Sequence, residues 1–326
     1  MAQVQAAVPK KVANRALIAS LIGSSVEWFD YLLYGTVASL VFNKLFFPSF
    51  DPVVGLMLSY ISFALPFFIR PLGGIIFSHI GDKIGRKKTL VVTLSLMGGA
   101  TVLMGVLPTY EMIGIWAPIL LITLRCIQGL GIGGEWGGAL LLAVEYSGKN
   151  TRGFFGSIPQ VGVTIGTLLG TLSVTAMTFL LTDEQFMSWG WRVPFVLSAV
   201  LVFIGLWIRN GLDETPSFKA AKESGNISKM PLVDTLRDHW KEVLIATGAK
   251  VVETGPFYIF GTFVIAYATN YLEFDRTVAL NAVTLATIVA TIMIPLMGKL
   301  SDKYGRKPLY YAGTIAFILF AFPYFY

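Results

Sequence analysis

The chain has 326 residues, 55% of them hydrophobic and only 13% charged, and a mean hydropathy of +0.68. A soluble domain carries about 25% charged residues, so this composition excludes an ordinary globular protein and describes one that crosses a lipid bilayer many times. The formal net charge of +6 would suit a nucleic-acid partner if the basic residues formed one patch, but they follow the pattern of membrane loops.

Apolar stretches of about 20 residues, enough to cross roughly 30 Å of hydrocarbon, fall near 16–42, 54–79, 89–108, 115–145, 153–181, 191–209, 243–269, 278–298 and 309–326. Taking the loops in turn, one side holds Lys10, Lys11, Arg15, the cluster at 83–88, Lys149, Arg152 and the basic residues of 209–241 and 299–307. The other side holds Lys44, Arg192 and Arg276, while Arg70, Arg125 and Lys250 lie within apolar spans. Positive residues gather on the cytoplasmic side. The expected topology therefore has a cytoplasmic N-terminus, and no nucleic-acid partner is expected. Lys10, Lys11 and Arg15 could open a signal peptide, but the apolar run after them is too long, carries two acids and shows no clear cleavage site. It reads as an uncleaved first span.

That first span holds Glu27 and Asp30, three residues apart and so on one helical face. An acid at mid-membrane costs at least ~2.5–3.5 kcal/mol and must face a cavity or a partner. Either the two form structural ion pairs, or they bind a proton or a solute, with Asp30 the preferred proton-coupling acid and Glu27 next. Trp28, Tyr31 and Tyr34 on the same span, with Trp136 on the fourth, are either an aromatic wall of a binding site or membrane packing. In the second span Arg70 precedes Pro71, nearer the cytoplasm, and reads as structural or gating.

In the fourth span Arg125, Gln128 and Glu135 fall within roughly an 80° arc, among glycines that permit close helix approach. A guanidinium in a dry bundle can pair with both oxygens of a solute carboxylate. The plainer reading is a bridge from Arg125 to Asp30 or Glu135. Glu135 is an alternative proton carrier. Gln160, following Pro159 in the fifth span, lines a cavity or is a satisfied amide in a packed helix.

Residues 210–242 form the longest polar segment and read as a cytoplasmic linker, partly helical, between a six-span domain at 1–209 and a three-span domain at 243–326. In the seventh span Lys250 and Glu253 share a face and precede Gly255-Pro256-Phe257-Tyr258. Proline can interrupt a helix, and interrupted helices line solute sites in carriers. Lys250, Glu253 and Tyr258 are therefore candidate solute contacts, against a local Lys250–Glu253 pair.

The sequence repeats itself. GDKIGRKK at 81–88 and SDKYGRK at 301–307 each follow the second span of their half. Aligning Asp82 with Asp302 places Asp30 on Lys250, give or take a turn. Parallel repeats with a solute site between them are a transporter arrangement. Cys126 is the single cysteine, so no intramolecular disulfide forms. The sequence holds no Cys/His ligand set, nucleophile–base pair or phosphate loop. It reads as no enzyme, with no metal or cofactor and the proton as coupling ion.

The D-K-x-G-R-K loops resemble the hallmark loop of the major facilitator superfamily. Ile127-Gln128-Gly129-Leu130 with Gly133, Glu145 and Arg152 resembles the fourth-span signature shared with sugar porters. Arg70-Pro71-Leu72-Gly73-Gly74, Arg125 with Gln128-Gly129, Gly133-Gly134-Glu135-Trp136-Gly137-Gly138 and Ser188-Trp189-Gly190-Trp191-Arg192 narrow the resemblance to the bacterial metabolite:proton symporter family. That family carries shikimate, 2-oxoglutarate, citrate, proline and betaine. The resemblance implies an all-α major facilitator fold in the bacterial inner membrane and import of a small organic acid with a proton. A proline or betaine carrier is the alternative, and the oligomeric state is left open. It also implies a cytoplasmic gate from Asp82, Arg86, Glu145, Arg152, Asp302 and Arg306.

Two departures stand out. Ser78 occupies a position where the loop pattern has glycine, whereas Gly298 keeps it. Relatives of this kind have twelve spans, and the last three are not in this sequence. A fragment, a truncated gene or a non-transporting remnant is the corresponding expectation.

Overall fold

The computed structural model describes residues 10–148, 150–214, 218, 223, 231–259, 267–268, 272–274 and 276–325, and every regular element among them is helical. The chain divides into two compact units, one of Met1–Gly148 with Ile158–Lys229, the other of Lys149–Ser157 with Met230–Tyr326.

In the first unit, α1 spans Lys10–Val37 and relaxes through a π-helical turn at Ala38–Phe42. Helix α2 runs Pro52–Ile84. Asp51 caps it by accepting the Val53 N–H at 2.9 Å, and Pro52 fills the first turn, where a missing N–H costs nothing. It passes through Pro66 and Pro71 and stops at Gly85, whose φ of +108° suits glycine. There follow α3 (Arg86–Gly105), α4 (Trp116–Glu145), α5 (Arg152–Leu180) and α6 (Arg192–Asn210).

Packing follows from where side chains are missing. A Cβ on Gly129 would sit 2.8 Å from the Pro66 Cα, so α2 and α4 touch backbone to backbone. At the opposite end of the bundle the core is aromatic: Phe42, Phe46, Trp191 and Phe195 meet edge to face around a buried Trp191. Ser78 is exposed.

In the second unit, α7 (Pro231–Asp238) lies inside the expected linker and is followed by α8 (Trp240–Tyr258), α9 (Arg276–Tyr304) and α10 (Arg306–Phe325). Tyr310 of α10 donates its hydroxyl to the Ala249 carbonyl of α8 at 2.7 Å. Pro256 lies inside α8 two residues before its end at Tyr258.

Among the described residues, seven helical stretches are long and apolar enough to cross a membrane: Lys11–Val37, Pro52–Ile84, Arg86–Gly105, Trp116–Glu145, Arg152–Leu180, Arg192–Asn210 and Asn281–Tyr304. They match seven of the nine expected spans. The stretch expected at 243–269 lies partly on residues outside the described set, and the one at 309–326 is the helix α10 without being among the seven.

Candidate functional site

The first unit gathers its ionisable groups between α1, α2, α3, α4 and α6. Asp30 is fully buried, and its Oδ2 accepts from the Thr101 hydroxyl at 2.6 Å. Thr101 in turn accepts from Gln128 Nε2 at 2.8 Å, and Gln128 Oε1 accepts from Arg125 Nη1. An unbroken line of hydrogen bonds therefore joins Arg125 to Asp30, and all four side chains are buried. Asp30 Oδ1 has no hydrogen-bond partner.

Arg125 does not bridge to Asp30 or Glu135. Its Nε and Nη2 donate to the backbone carbonyls of Ser62 at 3.2 Å and Phe63 at 2.8 Å. Its guanidinium lies over the Tyr34 ring, 3.7 Å from the centroid, a stacked cation that an apolar interior tolerates. Tyr34 is held from its far side by Ser62 Oγ at 2.7 Å.

Glu27 pairs with Arg70. The two line a small, partly open recess together with Trp28, Tyr31, Pro66, Phe67, Arg125 and Ile132. Two guanidinium groups and one carboxylate thus share a single apolar-walled space. Arg70, expected nearer the cytoplasm, stands in this recess.

Glu135 points elsewhere. It forms a buried pair with Arg209 of α6, and its Oε2 also accepts from Thr93 at 2.9 Å. Arg209 further donates to the Leu90 carbonyl at 2.6 Å. The one-face arrangement expected of Arg125, Gln128 and Glu135 therefore holds for the first two, while Glu135 turns toward α3 and α6. A side chain at Gly23 would collide with the Arg209 guanidinium and the Glu135 carboxylate, so the glycine makes room for the pair.

Of the aromatic candidates, Trp28 and Tyr31 line the recess, edge to face at 5.4 Å, and Tyr34 is sealed beneath Arg125. Trp136 on α4 and Gln160 on α5 are partly buried. Lys250 and Glu253 belong to the second unit, where they pair at 2.8 Å with side chains 44% and 49% exposed. The Tyr258 side chain lies outside the described residues.

The candidate gate residues form local pairs. In the first unit Arg86 reaches Asp82 at 3.4 Å and Glu145 at 3.3 Å, and the Lys87 N–H donates to Glu214 Oε1 at 3.0 Å. In the second, Asp302 accepts the N–H groups of Gly153 and Phe154 at 2.6 and 2.9 Å and lies 3.7 Å from Arg306. Arg152 is exposed at the start of α5. Just past α4, Tyr146 donates to the Asp213 carbonyl at 2.8 Å. Burial, with the Asp213, Glu214 and Glu145 carboxylates adding to it, pushes its phenol up to about 12.

Sequence reasoning missed Thr101, Phe67, Pro66 and Arg209. Thr101 gives no signal beyond being polar in an apolar run. Arg209 ends such a run and was grouped with the cytoplasmic loop charges, yet α6 carries it into the interior, where it is 1% exposed.

The family model described as sugar (and other) transporter matches residues 15–241. The chain is 43% identical over 315 residues to the shikimate transporter of Escherichia coli K12, covering 96% of this chain and 72% of that protein. It is 37% identical to the glycine betaine/proline/ectoine/pipecolic acid transporter OusA of Dickeya dadantii, over 96% of this chain and 64% of that one. In fold it is similar to the xylose transporter XylE of E. coli in a partially occluded inward-open conformation. The TM-score is 0.66 at 19% identity, over 91% of this chain and 73% of that one. Relatives with this much sequence in common are membrane carriers and not enzymes. The chain belongs to the sugar (and other) transporter family of the major facilitator superfamily.

Proposed function

We propose that the chain is a proton-coupled symporter that imports a small organic acid, such as shikimate or a related carboxylate, by alternating access. The observation that carries this reading is the line Arg125–Gln128–Thr101–Asp30. A carboxylate arriving at Arg125 competes for the proton that Gln128 accepts. The amide and the Thr101 hydroxyl then change what they offer Asp30. Proton affinity at Asp30 and solute affinity at Arg125 become functions of each other, which is the thermodynamic content of coupling. Arg70 supplies a second cation in the same recess, with Glu27 as its partner in the empty state. The shikimate transporter among the relatives supports a carboxylate solute.

In this reading the protein sits in a bacterial inner membrane with a cytoplasmic N-terminus, and Asp82, Arg86, Glu145, Arg152, Asp302 and Arg306 form the cytoplasmic gate. A second reading, a proline or betaine carrier, draws on Trp28, Tyr31 and Phe67 lining the recess beside Glu27. Aromatic faces with a nearby carboxylate suit a quaternary ammonium.

The test is binding and uptake by the purified chain in proteoliposomes under an imposed pH gradient, with shikimate, 2-oxoglutarate, citrate, proline and betaine as solutes. Acid-driven accumulation of shikimate that vanishes with a protonophore is expected. Asp30→Asn should bind the solute yet fail to concentrate it. Accumulation by Asp30→Asn equal to that of the unaltered chain removes Asp30 from the coupling role. Accumulation of betaine but no acid favours the second reading.

A further inference from the structure

The position of Arg125 traces back to a proline on the neighbouring helix. In an unbroken α-helix the Ser62 carbonyl accepts from the N–H of the residue four positions on. That residue is Pro66, inside α2, and proline has no N–H to give. The carbonyl is left without its helical donor in a buried stretch, where an unpaired acceptor is costly. Arg125 Nε fills the vacancy at 3.2 Å, and Nη2 takes the next carbonyl, Phe63, at 2.8 Å.

The helices are placed for this exchange. Pro66 packs so near Gly129 that a Cβ there would have no room, and one turn earlier on each helix Ser62 meets Arg125. Among the described residues every hydrogen bond of Arg125 goes to a neutral oxygen: Ser62 O, Phe63 O and Gln128 Oε1. Among the described residues no carboxylate neutralises it at contact distance, so the anchor orients the guanidinium without cancelling its charge. Pro66 and Arg125 both line the recess.

We infer that Pro66 is the positioning residue for Arg125: by leaving the Ser62 carbonyl without a helical donor, it fixes the guanidinium at the recess in the orientation that receives a solute carboxylate. This rests on the organic-acid reading above and adds the specificity device of that site. A preorganised fork pays less orientational entropy on binding than a free one. Pro66→Ala restores an N–H that bonds Ser62 within α2 and sets Arg125 loose.

The experiment measures binding of shikimate and of its uncharged methyl ester to the purified chain by quenching of tryptophan fluorescence, since Trp28 lines the recess. It compares the unaltered chain with Pro66→Ala, Arg125→Lys and the double variant, with melting temperatures recorded. Pro66→Ala is expected to weaken shikimate roughly fivefold or more, to leave the ester unchanged, and to cost nothing further in the Arg125→Lys background. Equal losses for acid and ester, or the same loss in both backgrounds, would mean that Pro66 only shapes the helix, and the inference fails. No loss in Pro66→Ala while Arg125→Lys weakens shikimate also sinks it and leaves the organic-acid reading standing. Shikimate binding indifferent to Arg125→Lys overturns that reading instead. Should Arg125→Lys not fold, the ratio of acid to ester affinity in Pro66→Ala decides alone.

Discussion

Two acid–base pairs, one in each unit, show how surroundings change the same chemistry. Glu135 and Arg209 come from different helices, are sealed from solvent, and bond further to Thr93 and the Leu90 carbonyl. Lys250 and Glu253 are neighbours on one helix, about half-exposed. The first pair binds α4 to α6 and cannot lose a member cheaply, because the survivor is stranded in a medium that solvates it poorly. The second pair lies within a single helix. The recess lies in the first unit, where charges are held by partners from other helices, and that cross-bracing gives its groups fixed positions.

The strongest way to break the contrast is Arg209→Met. Stranding Glu135 should cost about 3–5 kcal/mol, read as a drop in the unfolding midpoint in detergent micelles. Adding Glu135→Leu should recover most of it, since the loss comes from an unpaired charge and not from a missing attraction. Next comes Gly23→Ala, whose methyl group enters the space of the Arg209 guanidinium and the Glu135 carboxylate. Overpacking of this kind costs about 1–3 kcal/mol, and the same assay should show the loss shrinking in the Arg209→Met background.

A smaller effect is expected of Tyr146→Phe, which removes one hydrogen bond to Asp213 and about 1 kcal/mol. Here pH gives a separate signature. The Tyr146 phenol titrates near 12 in the fold, above its ordinary value of about 10. Its contribution is therefore complete below about pH 10 and is lost as pH rises through about 12. Ultraviolet titration of phenolate should find one fewer late-ionising tyrosine in Tyr146→Phe than in the unaltered chain. The smallest effect belongs to Lys250→Met with Glu253→Leu, expected to move stability by less than about 1 kcal/mol. A larger loss would show that the exposed pair is braced like the buried one.

Much of the first unit was legible in the sequence, because acids and arginines in apolar runs have few places to go. Glu27, Asp30, Arg125 and Gln128 do converge, and the helices that carry them begin and end close to the expected positions. The pairing was less legible. Helical periodicity places Arg125, Gln128 and Glu135 on one side of α4, but whether Glu135 meets α1 or α6 depends on the position of Arg209, 74 residues along the chain. Thr101 was invisible for a different reason: a threonine in a membrane helix usually bonds its own backbone, as Thr101 also does with the Met97 carbonyl, and composition cannot reveal a second bond. The partner of Arg70 was equally hidden, because Glu27 lies on another helix.

Thr101 has one hydroxyl hydrogen and directs it at Asp30 while receiving one from Gln128. Such a row has a sense of direction. It cannot run the other way, because arginine has donors only, and an amide turned to face Arg125 with its nitrogen would lose that bond. A valine at position 101, equal in shape and mute in polarity, would leave both ends of the row in place with no way to inform each other.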